Sequence, residues 1–386
     1  MLALLNDIRG FSFGCVVGMT TSSSLGFGGD LKTLLFHFLT IGAGLFLTCE
    51  GVRGEQNQDM ITRRGFLGLI PGLGLAKSWA SGAGSVPTRK FGRHEERVSV
   101  LGFGGHTLAM AKDIPEATRI AHEAVERGVT FFDNAWCYHG GRAEEWMGQA
   151  LQGIREKVFL MTKCCTHKKS LPEGGKEGAM KYLEDSLRRL KTDHVDLWML
   201  HQVEGADEVD KFYGPGGAAE AFDLAKKQGK VRYLGFTGHT DPAVHRKILD
   251  GGYAFDASLQ PVSALGTLDS RKFETETIPE LAKRQIAVIG MKGFGGSKRA
   301  SQKGLMNAEK VMRYALSYPE VCTHLVGVDR FEYVDEAVVA AGKSPMEVQE
   351  RKAFAAWCDR MGGAEYAMHC QPGHQDGACC GGSALA

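Results

Sequence analysis

Residues 128–151 read GVTFFDNAWCYHGGRAEEWMGQAL. An apolar run, Thr130–Ala135, is interrupted only by Asp133 and Asn134, and three residues on comes Tyr138. A glycine pair, Gly140-Gly141, then leads into Ala143–Leu151, which has helical spacing. This is one strand–loop–helix unit, and reading outward from it finds the same alternation again and again. Strands are predicted at Val98–Gly104, Thr130–Ala135, Val158–Lys163, Val195–His201, Val231–Thr237, Phe255–Gln260, Ala287–Met291 and Thr323–Val328. Helices are predicted at Pro115–Arg127, Ala143–Leu151, Glu177–Leu190, Ala218–Gln228, Ala243–Leu249, Ile278–Arg284, Ala308–Ser317 and Tyr333–Ala341. Within Glu177–Leu190, Met180, Leu183, Leu187 and Leu190 recur at three- and four-residue steps and make one apolar face. Strand-then-helix repeated in this way points to an α/β protein with a closed (β/α)8 TIM barrel. A doubly wound open sheet is the alternative. The count of units, and the lack of a Gly-x-Gly-x-x-Gly turn between a strand and its helix, favour the barrel. Thr88–Arg97 precedes the first strand as an N-terminal hairpin that would cover the barrel bottom. Residues 344–361 read as a C-terminal helix with Pro345 near its start, followed by a Cys-rich tail.

Composition narrows the function. The chain has 386 residues, 46 Lys and Arg against 45 Asp and Glu, and a net charge of +1. No basic field calls for nucleic acid as a partner. The 51 glycines imply many tight turns and close backbone approaches. None of the ten cysteines forms a C-x-x-C pair, which argues against a ferredoxin run or a zinc ribbon.

The N-terminal residues are unlike the rest. Thr62-Arg63-Arg64-Gly65-Phe66-Leu67 has the form of a twin-arginine export motif. An apolar run, Leu67–Leu75, and a small-residue stretch, Ala80-Ser81-Gly82-Ala83, follow it in signal-peptide order. Residues 60–85 are therefore expected to be a signal peptide, making the export machinery a partner and the location periplasmic or otherwise exported. Residues 1–59 are either a mis-assigned start, with Met60 the true one, or an extra leader. A membrane anchor at 34–47 is the rival reading, although that run is short of the roughly 20 residues a span needs.

In a barrel of this kind, reacting groups sit at the C-terminal ends of the strands. Those ends carry Asp133, Tyr138, Lys163 and His201. A lysine closing an apolar strand needs a partner, and Asp133 is the candidate. A lysine beside a phenol favours the phenolate, lowering it from about 10 and making the phenol a usable acid near neutral pH.

These segments together, with KVFLMTKC, DHVDLWMLHQ, RKFGRHEERVSVLGFGG and GKVRYLGFTGHT, resemble the aldo-keto reductase superfamily over roughly residues 88–343. Within it they are most similar to the exported branch bearing twin-arginine signals. The resemblance assigns residues 86–343 to the barrel and 344–386 to the helix and tail. It implies that Tyr138 protonates a carbonyl oxygen as hydride arrives, that Lys163 with Asp133 tunes Tyr138, and that His201 orients the oxygen. It further implies a cofactor, NADP or NAD, contacted by Gly105, Thr237, Gly238, Gln260, Met291, Lys292, Gly293, Gly295, Gly327, Asp329 and Arg330. Gly238 lacks the amide side chain many relatives carry there, and Met291 stands where most have a stacking Tyr. Around the 2′-phosphate position the chain has Asp329, Tyr333 and Ala337, with Arg330 as the positive charge. A carboxylate there repels a phosphate and suits a free ribose hydroxyl, so NAD stands beside NADP.

The tail holds Cys358, His369, Cys370, His374, Cys379 and Cys380. A disulfide from Cys370 to Cys379 or Cys380 is expected, with a metal as the alternative and no metal site assigned. The implied function is oxidoreduction of a small carbonyl or alcohol substrate. The alternative is an exported nicotinamide-binding barrel that senses or binds with little turnover. Trp136, Trp198, Phe212 and Tyr213 are expected near the substrate.

Overall fold

The computed structural model describes residues 34–41, 44–51, 85–165 and 175–371. The chain divides into two units, residues 1–78 and 79–386. In the first, Leu34–Ile41 pairs antiparallel with Gly44–Gly51. The anchor considered at 34–47 is therefore not one helical span. Glycines at 42 and 44 interrupt the run, and each costs a helix interior ~1 kcal/mol. Among the described residues no helix is long and apolar enough to cross a membrane. The twin-arginine motif and the stretch from 60 to 84 lie outside the described residues.

The second unit is a closed barrel of eight parallel strands. They are β1 Leu101–Gly104, β2 Phe131–Asp133, β3 Phe159–Cys165, β4 Val195–His201, β5 Val231–Thr237, β6 Ala257–Pro261, β7 Ala287–Met291 and β8 Val321–Val326. The helices wrapping them are α1 Ile114–Glu126, α2 Arg142–Ala150, α3 Gly175–Leu190, α4 Ala218–Lys227, α5 Pro242–Asp250, α6 Ile278–Lys283, α7 Ala308–Ala315 and α8 Glu332–Ala341, with α9 Val348–Arg360 beyond them. Each strand pairs with its chain neighbours, and β8 closes on β1 through His324, Leu325 and Val326 opposite Leu101, Gly102 and Phe103.

The helix starts follow local chemistry. Asp113, Asp241 and Asn307 each cap a helix by accepting a backbone N–H, from Glu116, Ala243 and Lys310 respectively. The barrel interior is filled by Phe131, Phe159, Met161, Leu197, Met199, Leu259 and Ile289. A second layer, including Ile120, Leu183, Phe222, Ile248 and Met312, packs the helices onto the strands. Full burial of such side chains contributes about 1.5–3 kcal/mol each.

Several boundaries differ from the sequence reading, and three of the shifts bear on the architecture. Val98 and Ser99 belong to an antiparallel hairpin of Thr88–Lys90 with Arg97–Ser99, so β1 begins only at Leu101. Phe91, at its turn, is fully buried and packs 5.0 Å from Phe159 and 5.2 Å from Tyr233, closing one end of the barrel. β8 starts two residues early and stops at Val326, because the Val328 N–H goes to the Thr107 hydroxyl instead of to a strand (3.1 Å). The C-terminal helix starts at Val348, not at 344, with Glu347 extended before it.

Candidate active site

The turn after β2 is held from outside. Tyr138–Gly141 makes one 3-10 turn, in which His139, Gly140 and Gly141 have φ of 52°, 66° and 99°. At Gly141, whose φ is 99°, a Cβ would lie 2.5 Å from the Arg189 guanidinium carbon, so backbone conformation and the neighbour on α3 both favour glycine. Arg189 in turn donates to the Trp136 carbonyl (2.9 Å) and to Glu144 (3.3 Å). Thr162 on β3 donates to the other Glu144 oxygen (2.6 Å). Burial pushes the Glu144 carboxyl above the usual range, against the pull of Ser186, Thr162 and Arg189. Trp136, two residues before Tyr138, is thus tied to α3, and Glu144 on α2 is tied to both α3 and β3.

Lys163 on β3 is 1% exposed. Its ammonium donates to the Asp133 carboxylate, to the Asn134 carbonyl (2.8 Å) and to the Tyr138 hydroxyl oxygen (3.1 Å). Three acceptors match the three protons of an ammonium. His201 at the end of β4 is buried, and its ring stands nearly perpendicular to that of Tyr138 at 5.6 Å. Its Nδ1 lies 3.4 Å from the Cys137 sulfur. His106, after β1, stands 5.3 Å from the Tyr138 ring, and the His139 Nε2 meets the His106 carbonyl at 2.9 Å. Asp133, Tyr138, Lys163 and His201 therefore converge at one rim, with a phenol oxygen touching a buried, charge-compensated lysine.

The other half of the rim carries the residues that the resemblance assigned to a cofactor. Gly105 packs on β2, where a Cβ would lie 2.6 Å from the Asp133 carbonyl oxygen. Thr237 is buried at the end of β5. Beside it, the space a Gly238 side chain would need is filled, its Cβ falling 2.8 Å from both the His245 Nε2 and the Val203 carbonyl. Burial pushes the His245 imidazole down to about 3. Gln260 is fully buried, and its amide donates to the Phe273 carbonyl at 3.0 Å. Met291 is half-buried at the end of β7. Lys292 follows with φ 63°, then Gly293, whose carbonyl accepts from the Ser263 hydroxyl (3.3 Å). Gly295 and Gly296 have φ of 74° and 85°. A Cβ at Gly293 would lie 2.3 Å from Val311 and 2.7 Å from the His324 Nε2, which leaves this turn bare backbone. Gly327 is exposed, with Thr107 2.7 Å from where its Cβ would be.

Several contacts here were not legible as sequence. Asp329 is paired with Lys298 at 2.7 Å, so its carboxylate is compensated and Arg330, which is exposed, is not the sole positive charge at this end. Lys298 could be read as a charge, but not as one folded back from the β7 loop onto the β8 loop. The tail also meets the β7 loop: the Met368 N–H donates to the Gly295 carbonyl (2.8 Å), and the Tyr366 carbonyl oxygen would lie 2.2 Å from a Gly295 Cβ. Cys379, Cys380 and His374 lie outside the described residues. Among the described residues no three His, Cys, Asp or Glu side chains are grouped to hold a metal. Trp198 and Phe212, expected near the substrate, are buried in the helix–strand layer instead.

Comparison with known proteins places the fold in a family. Residues 100–307 match the aldo/keto reductase family. An uncharacterized oxidoreductase of Bacillus subtilis, YqkF, is 28% identical over 304 residues, covering 69% of this chain and 94% of that protein. The methylglyoxal reductase YeaE of Escherichia coli is 32% identical over 216 residues, covering 55% of this chain and 70% of that protein. The holo form of an aldo-keto reductase from Bacillus halodurans superposes with a TM-score of 0.59 at 26% identity, covering 70% of this chain and 96% of that one. The family match takes in more than half of the sequence, and the chain belongs to the aldo/keto reductase family as an NAD(P)-dependent oxidoreductase.

Proposed function

We propose that this protein is an exported carbonyl reductase in which Tyr138 is the general acid. The observation that carries the reading is the Lys163 ammonium in contact with both the Asp133 carboxylate and the Tyr138 hydroxyl. The phenol gives its proton to the substrate oxygen, and the ammonium beside it stabilises the negative charge left on the phenol oxygen. Asp133 holds that ammonium in place, where an unpaired one would be costly. His201 donates to the same substrate oxygen and orients it.

The donor set at the far rim fits a nicotinamide dinucleotide. The turn from Lys292 to Gly296 combines left-handed backbone, bare glycine and one lysine, the chemistry that accepts a diphosphate. Lys292, Gly293 and Gly295 would hold the diphosphate side, and Thr237, Gln260 and Met291 would border the nicotinamide. When bound, the cofactor supplies the hydride. The Lys298–Asp329 pair offers a cation to a 2′-phosphate and a carboxylate to a 2′-hydroxyl, so either NADP or NAD can be served from one place.

The test is steady-state reduction of small aldehydes and 2-oxoaldehydes, methylglyoxal first, with NADPH and with NADH. Consumption of reduced cofactor only when the carbonyl is present supports the reading. Tight cofactor binding with no turnover on any carbonyl would favour the sensing or binding module instead. Export through the twin-arginine route rests on Thr62–Leu67. Changing Arg63 and Arg64 to lysine is expected to hold the protein inside the cell, and unchanged export would refute that part.

A further inference from the structure

We infer that Cys137 is a positioning residue whose thiol decides which nitrogen of His201 carries the proton. The inference rests on the reading of His201 as the donor to the substrate oxygen. Cys137 is 2% exposed, stands one residue before Tyr138, and puts its sulfur 3.4 Å from the His201 Nδ1. A neutral imidazole has one donor and one acceptor nitrogen, and the partner of one fixes the role of the other. Ala135, Trp136 and Tyr138 pack around Cys137. A thiol has a proton to give. Donated to Nδ1, it makes that nitrogen the acceptor and leaves the ring proton on Nε2. The two nitrogens flank one ring carbon and point apart, so the proton on Nε2 is directed away from Cys137.

Cys137 is held in place from two sides. The turn that carries it is tied to α3 through the Arg189 bond to the Trp136 carbonyl and to β3 through the Trp136 N–H bond to the Lys163 carbonyl (3.1 Å). The thiol and the phenol are thus held on the same short turn, one serving His201 from behind and the other facing it. The same logic orients ring nitrogens at metal centres, where the partner of the remote nitrogen sets the tautomer of the ligating one.

The experiment is nitrogen NMR of protein labelled at histidine, with the His201 signals assigned by their loss in His201→Gln. The wild type is expected to show the Nε2–H tautomer. Cys137→Ser, which keeps a donor, should show the same tautomer and keep carbonyl-reduction kcat within about threefold. Cys137→Val and Cys137→Ala, which have none, should shift His201 toward the Nδ1–H form. Their kcat should fall about tenfold with cofactor affinity unchanged, the cost of losing one orienting hydrogen bond. A wild-type Nδ1–H tautomer, or a wild-type tautomer and kcat in both the Val and Ala variants, would overturn the inference. Tyr138→Phe is run alongside. Its loss of turnover preserves the general-acid reading whatever Cys137 does, so the two ideas fail separately.

Discussion

The two halves of the barrel rim are built differently. On the β2–β4 side, Asp133, Lys163, Tyr138 and His201 form one buried cluster, braced from behind by Arg189, Glu144 and Thr162. On the β5–β8 side the groups are spread over four strand ends, lean on one partly exposed ion pair and bare glycine, and are covered in part by the C-terminal tail. Proton transfer needs atoms held to within tenths of an ångström, which burial and compensated charge provide. Binding a long, flexible cofactor tolerates a looser frame. Changes on the first side should therefore act on turnover and folding together, and changes on the second mainly on cofactor choice and pH response.

The largest effect is expected at Lys163. Lys163→Met breaks the buried ion pair with Asp133, which costs about 3–5 kcal/mol, and removes the charge beside Tyr138. Denaturant unfolding should show that loss, and turnover should fall by about 10²–10⁴. A stable variant with near-normal turnover would erase the distinction between the two sides.

The next effect is pH-dependent and belongs to the cofactor side. Burial pushes the His324 imidazole down to about 3, and neither ring nitrogen has a hydrogen-bond partner. Its folded value lies below the unfolded one of about 6.5, so the neutral ring is favoured by folding. The contribution is complete above about pH 6.5 and is lost as the pH falls from there towards 3. Between pH 7.5 and 5 the loss is about 2 kcal/mol. His324→Leu should remove that share of the acid sensitivity, seen as a flatter curve of unfolding free energy against pH. An unchanged curve would show that the ring is not buried neutral behind Gly293.

The smallest effect concerns Lys298, whose side chain is 63% exposed. Exposed pairs are worth about 0.2–1 kcal/mol, so Lys298→Ala should weaken NADPH binding only a few-fold and leave NADH binding unchanged. Equal losses for both cofactors would place Lys298 away from the 2′ position.

The same contrast explains what could be read from the chain. The barrel was legible because each strand is a short apolar run and each helix has one apolar face, patterns that survive without knowing contacts. Asp133, Tyr138, Lys163 and His201 were legible because strand ends share a rim, so chemistry at those positions converges whatever the details. The Cys137–His201 contact, the Lys298–Asp329 pair and the Met368 bond to Gly295 join residues 64, 31 and 73 positions apart through side-chain or loop geometry that no periodicity records. Val98 and Ser99 looked like strand, and are strand, but in the hairpin; the apolar pattern is the same for either pairing.

The most direct measurement is the single-turnover rate of carbonyl reduction in Tyr138→Phe with cofactor bound to saturation. The variant keeps the ring against His106 and His201 and loses only the hydroxyl that meets Lys163. Cofactor affinity equal to that of the wild type, with the reduction rate lowered by at least about 10², is the predicted result. A rate within a few-fold of the wild type would contradict Tyr138 as the proton donor.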